Sequence, residues 1–184
     1  MLECAHPPIY QCDIVTDPRR PFRLNVGFIV HQEVGYHHEF PFEYDQIQIS
    51  DDLDLHHFSG SATIGRTPQG LLVRGDFTAH IQLECVRCLA PFDFALGWEM
   101  TELYAFKKKS VSESGLLLPE DMHIDLAPLI REYALLDVPI KPVCKPACKG
   151  LCPVCGEDLN QSDCGHHRDS EESPFSVLKD LLEE

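Results

Sequence analysis

The cysteines constrain this chain more than any other feature. Cys144, Cys148, Cys152 and Cys155 fall within twelve residues, and Cys164, His166 and His167 follow, in the spacing C-x3-C-x3-C-x2-C-x8-C-x-H. Packing does not explain such density, because thiolates this close repel unless something shares their charge. A tetrahedral Zn²⁺ does so, with Zn–S bonds of about 2.3 Å. Cys152-Pro153-Val154-Cys155-Gly156 has the form of a zinc knuckle. Its glycine lets the backbone turn so that amide N–H groups point at the sulfurs. The plainer alternatives are reduced, unliganded thiols or a disulfide cluster.

The 184 residues suit one compact domain plus an appendage, and 43% hydrophobic content is enough for a core. No run of eighteen apolar residues is present, so no membrane helix is expected. The start, Met1 to Pro8, lacks the basic and apolar regions of a signal peptide, which favours a cytoplasmic location. A reducing cytoplasm favours metal over disulfides for the nine cysteines. A net charge of −15 excludes a general nucleic-acid binder. Cations nevertheless gather at Lys107–Lys109 and at Lys141, Lys145 and Lys149, the last three around the cysteines. Acidic runs at 39–54 and 169–184 read as solvated faces.

The pattern along the chain predicts an α+β protein: an antiparallel sheet or partly open barrel, a few short helices and a C-terminal zinc-ribbon-like segment. Residues 1–21 read as an irregular lead-in, with Cys4 and Cys12 as ordinary thiols. A mainly β domain spans 22–136. Within it Phe22–Val30 alternates as a strand, and Tyr36–Ile49 reads as another. The histidines at 31, 37, 38, 56 and 57 match no metal spacing and read as surface residues. A short strand over 61–66, a Thr67–Gly70 turn and a long strand over 71–83 follow. Pro91–Met100 returns as strand, which puts Cys85-Val86-Arg87-Cys88 at a hairpin tip. Residues 107–121 read as loop. Asp125 caps a helix over 126–136, with Pro128 tolerated in its first turn. The cysteine-rich zinc-binding segment covers 137–168, and 169–184 ends in a short acidic helix from Ser173-Pro174.

Cys85-x-x-Cys88 does not open a helix, as a redox pair would, and a knuckle at a hairpin tip suits metal better. Cys85, Cys88, Cys144, Cys148, Cys152, Cys155, Cys164 and His166 make eight candidate ligands, enough for two tetrahedral sites. The preferred division gives Cys85, Cys88, Cys144 and Cys148 to one ion and Cys152, Cys155, Cys164 and His166 to the other. The rival puts Cys144–Cys155 on one ion and leaves Cys85 and Cys88 free. A zinc deaminase is rejected, because Leu151 rather than proline precedes Cys152 and His37 lies in a strand-like stretch. No nucleophile elbow, phosphate-binding loop or dinucleotide fingerprint is present. A non-enzyme with no small-molecule substrate is therefore expected.

Several stretches resemble the YceD family of bacterial and plastid proteins. They are Leu83–Phe92 around the first C-x-x-C, Ile124–Glu132, Val138–Cys144 and Lys149–Asn160 around the second, with Pro174-Phe175 near the end. The resemblance runs from about Gly60 to the C-terminus. It implies a ribosome-biogenesis factor acting in accumulation of large-subunit ribosomal RNA, rather than a known enzyme. His166 stands where such proteins often carry cysteine, with His167 as the alternative ligand. The expected partner is the large-subunit rRNA precursor or a ribosomal or processing protein. Local RNA contact would run through Arg87, Lys141, Lys145 and Lys149. The alternatives are a zinc-stabilised adaptor unrelated to ribosomes and a zinc or thiol enzyme.

Overall fold

The structure is a computed structural model that describes residues 20–111 and 114–166. Most of the lead-in, with Cys4 and Cys12, lies outside the described residues, as do His167 and the acidic terminal helix. The chain forms two compact units. Of the described residues, the first takes those up to Ile81 and those from Asp93 to Pro139, and the second takes Gln82–Phe92 and those from Ile140 onward.

The first unit is mostly antiparallel sheet. Strands β1 (Arg23–Asn25) and β6 (His123–Asp125) pair with each other. Strands β2 (His37–Ser50), β3 (Leu53–Arg66), β4 (Gly70–Glu84) and β5 (Pro91–Ala105) form a meander in that order. Alternation shapes these strands: Leu71, Val73, Phe77 and Ala79 of β4, and Leu96, Trp98 and Met100 of β5, are buried. Their aromatic rings join those of Phe22, Phe42 and Phe58, with centroids 5.4–6.1 Å apart.

Strand β3 starts earlier than its sequence suggests, because a bulge hides the alternation. His56 pairs with His80 but Ser59 with Thr78, so one extra residue enters β3. His57 takes it up with φ +49°. The buried set then switches from Leu53 and Leu55 to Phe58, Ala62 and Ile64. Strand β2 switches alongside, from Phe40 and Phe42 to Ile47, so the register between β2 and β3 survives the change.

Phe22–Val30 is only partly strand. Alternation holds through Phe22, Leu24 and Val26, all buried, and then a one-turn helix, α1 (Gly27–Val30), begins. The Asn25 side chain accepts the Gly27 N–H at 3.0 Å and turns the chain. Ile29 is buried in place of Phe28, a step of three rather than two. The loop over 107–121 contains a 3₁₀ turn at Lys108–Ser110.

Helix α2 (Ala127–Asp137) carries Pro128 in its first turn, and the Asp125 carboxylate accepts the Ala127 N–H at 3.0 Å. Leu129, Ile130 and Ala134 face the core. Each buried Leu or Ile there contributes about 1.5–3 kcal/mol. Polar contacts fix the opposite edges: Arg131 Nε to Asp52 Oδ1 at 3.0 Å, Tyr133 Oη to Glu102 at 2.9 Å, and the Gly97 N–H to Asp137 at 3.0 Å.

Candidate metal centres

The second unit takes the tip of the β4–β5 hairpin and the chain after α2. It contains all eight side chains singled out by spacing. They lie in two groups of four, Cys85–Cys88–Cys144–Cys148 and Cys152–Cys155–Cys164–His166. Within each group the ligand atoms all lie within 4.8 Å of one another.

Each group is built on one knuckle, and the two knuckles have the same backbone. The first cysteine's N–H donates five residues ahead, Cys85 to the Ala90 carbonyl at 3.0 Å and Cys152 to the Glu157 carbonyl at 2.8 Å. Its carbonyl accepts from the residue after the second cysteine, Leu89 or Gly156, at 2.9 Å in both cases. That residue must adopt the left-handed conformation, with φ +58° at Leu89 and +77° at Gly156. Glycine does so at no steric cost, whereas leucine gives up roughly 1–2 kcal/mol. The two knuckles do not face each other across one site. Each is completed by a looser pair, C-x3-C in the first group and C-x-H in the second.

Backbone contacts hold the later segment against the first knuckle. The Val86 N–H donates to the Pro142 carbonyl at 2.9 Å, and the Leu151 N–H to the Arg87 carbonyl at 3.0 Å. The Arg87 guanidinium donates to the Cys148 carbonyl at 2.9 Å. Gly150, with φ +78°, makes the crossing possible, since a Cβ there would lie 2.9 Å from the Arg87 carbonyl oxygen. A bridge between Leu151 and Asp158 then closes a small hairpin whose tip is the second knuckle.

The sulfur geometry matches a metal better than a disulfide. Cys85 and Cys148 have Sγ atoms 3.9 Å apart, and Cys88 and Cys144 3.8 Å. A disulfide needs about 2.05 Å. Metal–sulfur bonds of about 2.3 Å in a tetrahedron place sulfurs about 3.8 Å apart. The donors therefore fit a four-coordinate ion. The first group is nearly dry: Cys85, Cys88 and Cys148 are buried among Ala90, Phe92, Val143 and Leu151. The second is more open, with Cys155 and His166 exposed.

Backbone N–H groups reach two sulfurs in each group, Cys85 and Cys88 in the first and Cys152 and Cys164 in the second, and lower one thiol of each outright. The Cys85 thiol is lowered to about 6, chiefly by the Cys144 backbone N–H. Cys152 is lowered to about 6, chiefly by the N–H groups of Cys155 and Val154. Cys144 is pushed up to about 12 by burial and then by the neighbouring sulfurs. Neighbouring sulfurs thus oppose ionisation of Cys144 in the first group and of Cys164 in the second, a conflict that a bound cation removes.

Lys141, Lys145 and Lys149 are exposed. Lys145 helps hold the Asp158 carboxylate below its ordinary range, after the larger effect of hydrogen bonds from Asn160. The described residues of the second unit carry four basic and four acidic side chains, whereas the whole chain carries −15. Leu89, Gly150 and Asn160 shape the site without having been singled out by spacing. Gly150 was open to recognition as a turn residue, but a left-handed leucine leaves no signal in sequence.

The family model and the named relatives point to one family. The family model described as large ribosomal RNA subunit accumulation protein YceD matches residues 73–182. An uncharacterized protein of Mycobacterium tuberculosis is 34% identical over 137 residues, covering 71% of this chain and 61% of its own. The large ribosomal RNA subunit accumulation protein YCED homolog 1, chloroplastic, of Arabidopsis thaliana is 35% identical over 66 residues, 36% of this chain and 21% of its own. Its Zea mays counterpart is 45% identical over 40 residues, 22% and 14% respectively. The chain thus spans about three-fifths of the mycobacterial relative and a smaller part of the plant ones. No solved structure matches. With the family model covering both knuckles, most of the β4–β5 hairpin and helix α2, the chain belongs to the YceD family.

Proposed function

We propose that this chain is a non-enzymatic, zinc-binding factor in ribosome biogenesis that supports accumulation or processing of large-subunit (23S) rRNA. Family membership carries the rRNA assignment, since the family's name ties it to accumulation of that RNA. The two four-donor groups support zinc, which takes thiolate and imidazole ligands in tetrahedral sites. Cys85, Cys88, Cys144 and Cys148 would hold one ion, and Cys152, Cys155, Cys164 and His166 the other. Four protein donors leave a tetrahedral ion no open position for substrate, which supports a structural role over a catalytic one.

The partner is the large-subunit rRNA precursor or a ribosomal or processing protein, met in the cytoplasm. Contact runs through the exposed Lys141, Lys145 and Lys149, with Arg87 held beside them. The balanced charge of the described residues around the centres supports a restricted contact rather than broad RNA binding. Exposed Val86, Leu89, Ile140 and Val154 favour a second reading, a protein–protein adaptor.

Depletion in the source organism, followed by sedimentation of ribosomal particles and sizing of precursor rRNA, tests the proposal. Loss of large subunits with accumulation of precursor is expected. Unchanged large-subunit levels and precursor would overturn the ribosomal role. Affinity capture that yields only proteins unconnected with the ribosome would turn the assignment to the adaptor.

A further inference from the structure

We infer that Asn160 couples the two metal centres, so that filling the second strengthens metal binding at the first. The inference rests on the reading that both groups bind metal.

Asn160 lies in the eight-residue spacer between Cys155 and Cys164, so it belongs by sequence to the second centre. Its side chain reaches the first: Nδ2 donates to Cys148 Sγ at 3.5 Å. The amide is held at both ends. Its Oδ1 accepts the Lys149 N–H at 2.9 Å, and its Nδ2 also donates to Asp158 Oδ1 at 2.7 Å. Asp158 is anchored in turn, accepting the Asn160 N–H at 2.9 Å and the Gln161 side chain at 3.0 Å. Asn160 is half-buried and Cys148 buried, so water does not readily replace this donor.

An N–H aimed at a ligand sulfur stabilises the thiolate and fixes its orientation. Closing the spacer onto an ion through Cys152, Cys155, Cys164 and His166 orders the Asp158–Asn160 turn. The ordering cost of that hydrogen bond is then already met when the first ion binds. Coupling of this kind is reciprocal, so an ion at the first centre likewise favours the second.

The test titrates the full, reduced, metal-free chain with Co²⁺. Its thiolate charge-transfer and ligand-field bands distinguish a four-sulfur site from a three-sulfur, one-nitrogen site. Asn160→Ala should weaken Co²⁺ at the four-sulfur site by about ten-fold, the lower end for loss of a contact behind a ligand. Cys164→Ser, which disables the second centre, should weaken the four-sulfur site in the wild-type background and not further in Asn160→Ala. Asp158→Asn keeps the side-chain shape while loosening the amide, and should act in the same direction by a smaller factor. Wild-type affinity in Asn160→Ala, or an equal effect of Cys164→Ser in both backgrounds, would overturn the coupling while leaving the two sites intact. Absence of any thiolate–Co²⁺ band in the wild-type chain would instead remove the metal reading beneath it.

Discussion

Two glycines in the second unit have nearly the same backbone angle and opposite surroundings, and replacing each with alanine separates two effects. Gly150 has φ +78° and Gly156 +77°. A Cβ on Gly156 would meet nothing within 4 Å, so Gly156→Ala carries only the left-handed penalty, about 1–2 kcal/mol. A Cβ on Gly150 would lie 2.9 Å from the Arg87 carbonyl oxygen and 3.3 Å from Arg87 Cβ. That carbonyl cannot retreat without losing the Leu151 N–H, a further loss of about 1–3 kcal/mol if the partner stays unsatisfied. Gly150→Ala should therefore cost about 2–5 kcal/mol. Hydrogen exchange with mass spectrometry on the metal-loaded chain reads both. Gly156→Ala should speed exchange about ten-fold in 151–159 and leave 85–90 near wild type. Gly150→Ala should speed exchange by at least a further ten-fold and extend the effect to 85–90. Equal effects, or a larger one from Gly156→Ala, would refute the crossing of Gly150 over Arg87 as the element that seats the later segment on the first knuckle.

The Arg131 guanidinium, and after it the Ser50 hydroxyl, hold the Asp52 carboxyl well below the usual carboxylate range. Its stabilisation is present above an ordinary unfolded pKa of about 3.9 and lost as pH falls through the lower folded value. Asp52→Asn should thus lower the melting temperature at neutral pH, with the gap to wild type closing in acid; a gap independent of pH would contradict the pairing. Charge reversal at Lys145 and Lys149 should leave folding and metal content intact but weaken co-sedimentation with large-subunit precursor particles, more so at low salt. Wild-type co-sedimentation would return these lysines to a solvated face. Thiol alkylation of the metal-loaded chain should be slow until a chelator is added, whereas one fast-reacting cysteine would favour a thiol enzyme.

What sequence revealed depended on how local the cause was. The long alternation of β4 and β5 needed only neighbouring residues, and with it came the C-x-x-C at the hairpin tip. The first half of β3 was hidden because His57 adds one residue to the strand and turns the pattern over. Alternation also carried the strand reading too far past Val26, where an asparagine side chain turns the chain into a helix. Strand β6 is three residues long and has no periodicity to read. Around the candidate centres, spacing was enough to single out sulfurs and an imidazole, because donor chemistry is written in residue type. The likeness of the two knuckles was half visible. Gly156 announces its turn, while Leu89 adopts the same conformation under the pull of the hydrogen bonds around it. The reach of Asn160 to Cys148 depends on a fold-level crossing that no local pattern encodes.

Native mass spectrometry of the full chain, purified under reducing conditions without chelator, tests the two-centre reading most directly. Two Zn²⁺ per chain are predicted, with Cys85→Ser/Cys88→Ser and Cys164→Ser/His166→Ala each retaining one. A wild-type chain that carries no metal when freshly reduced would contradict it, as would one ion lost with either pair.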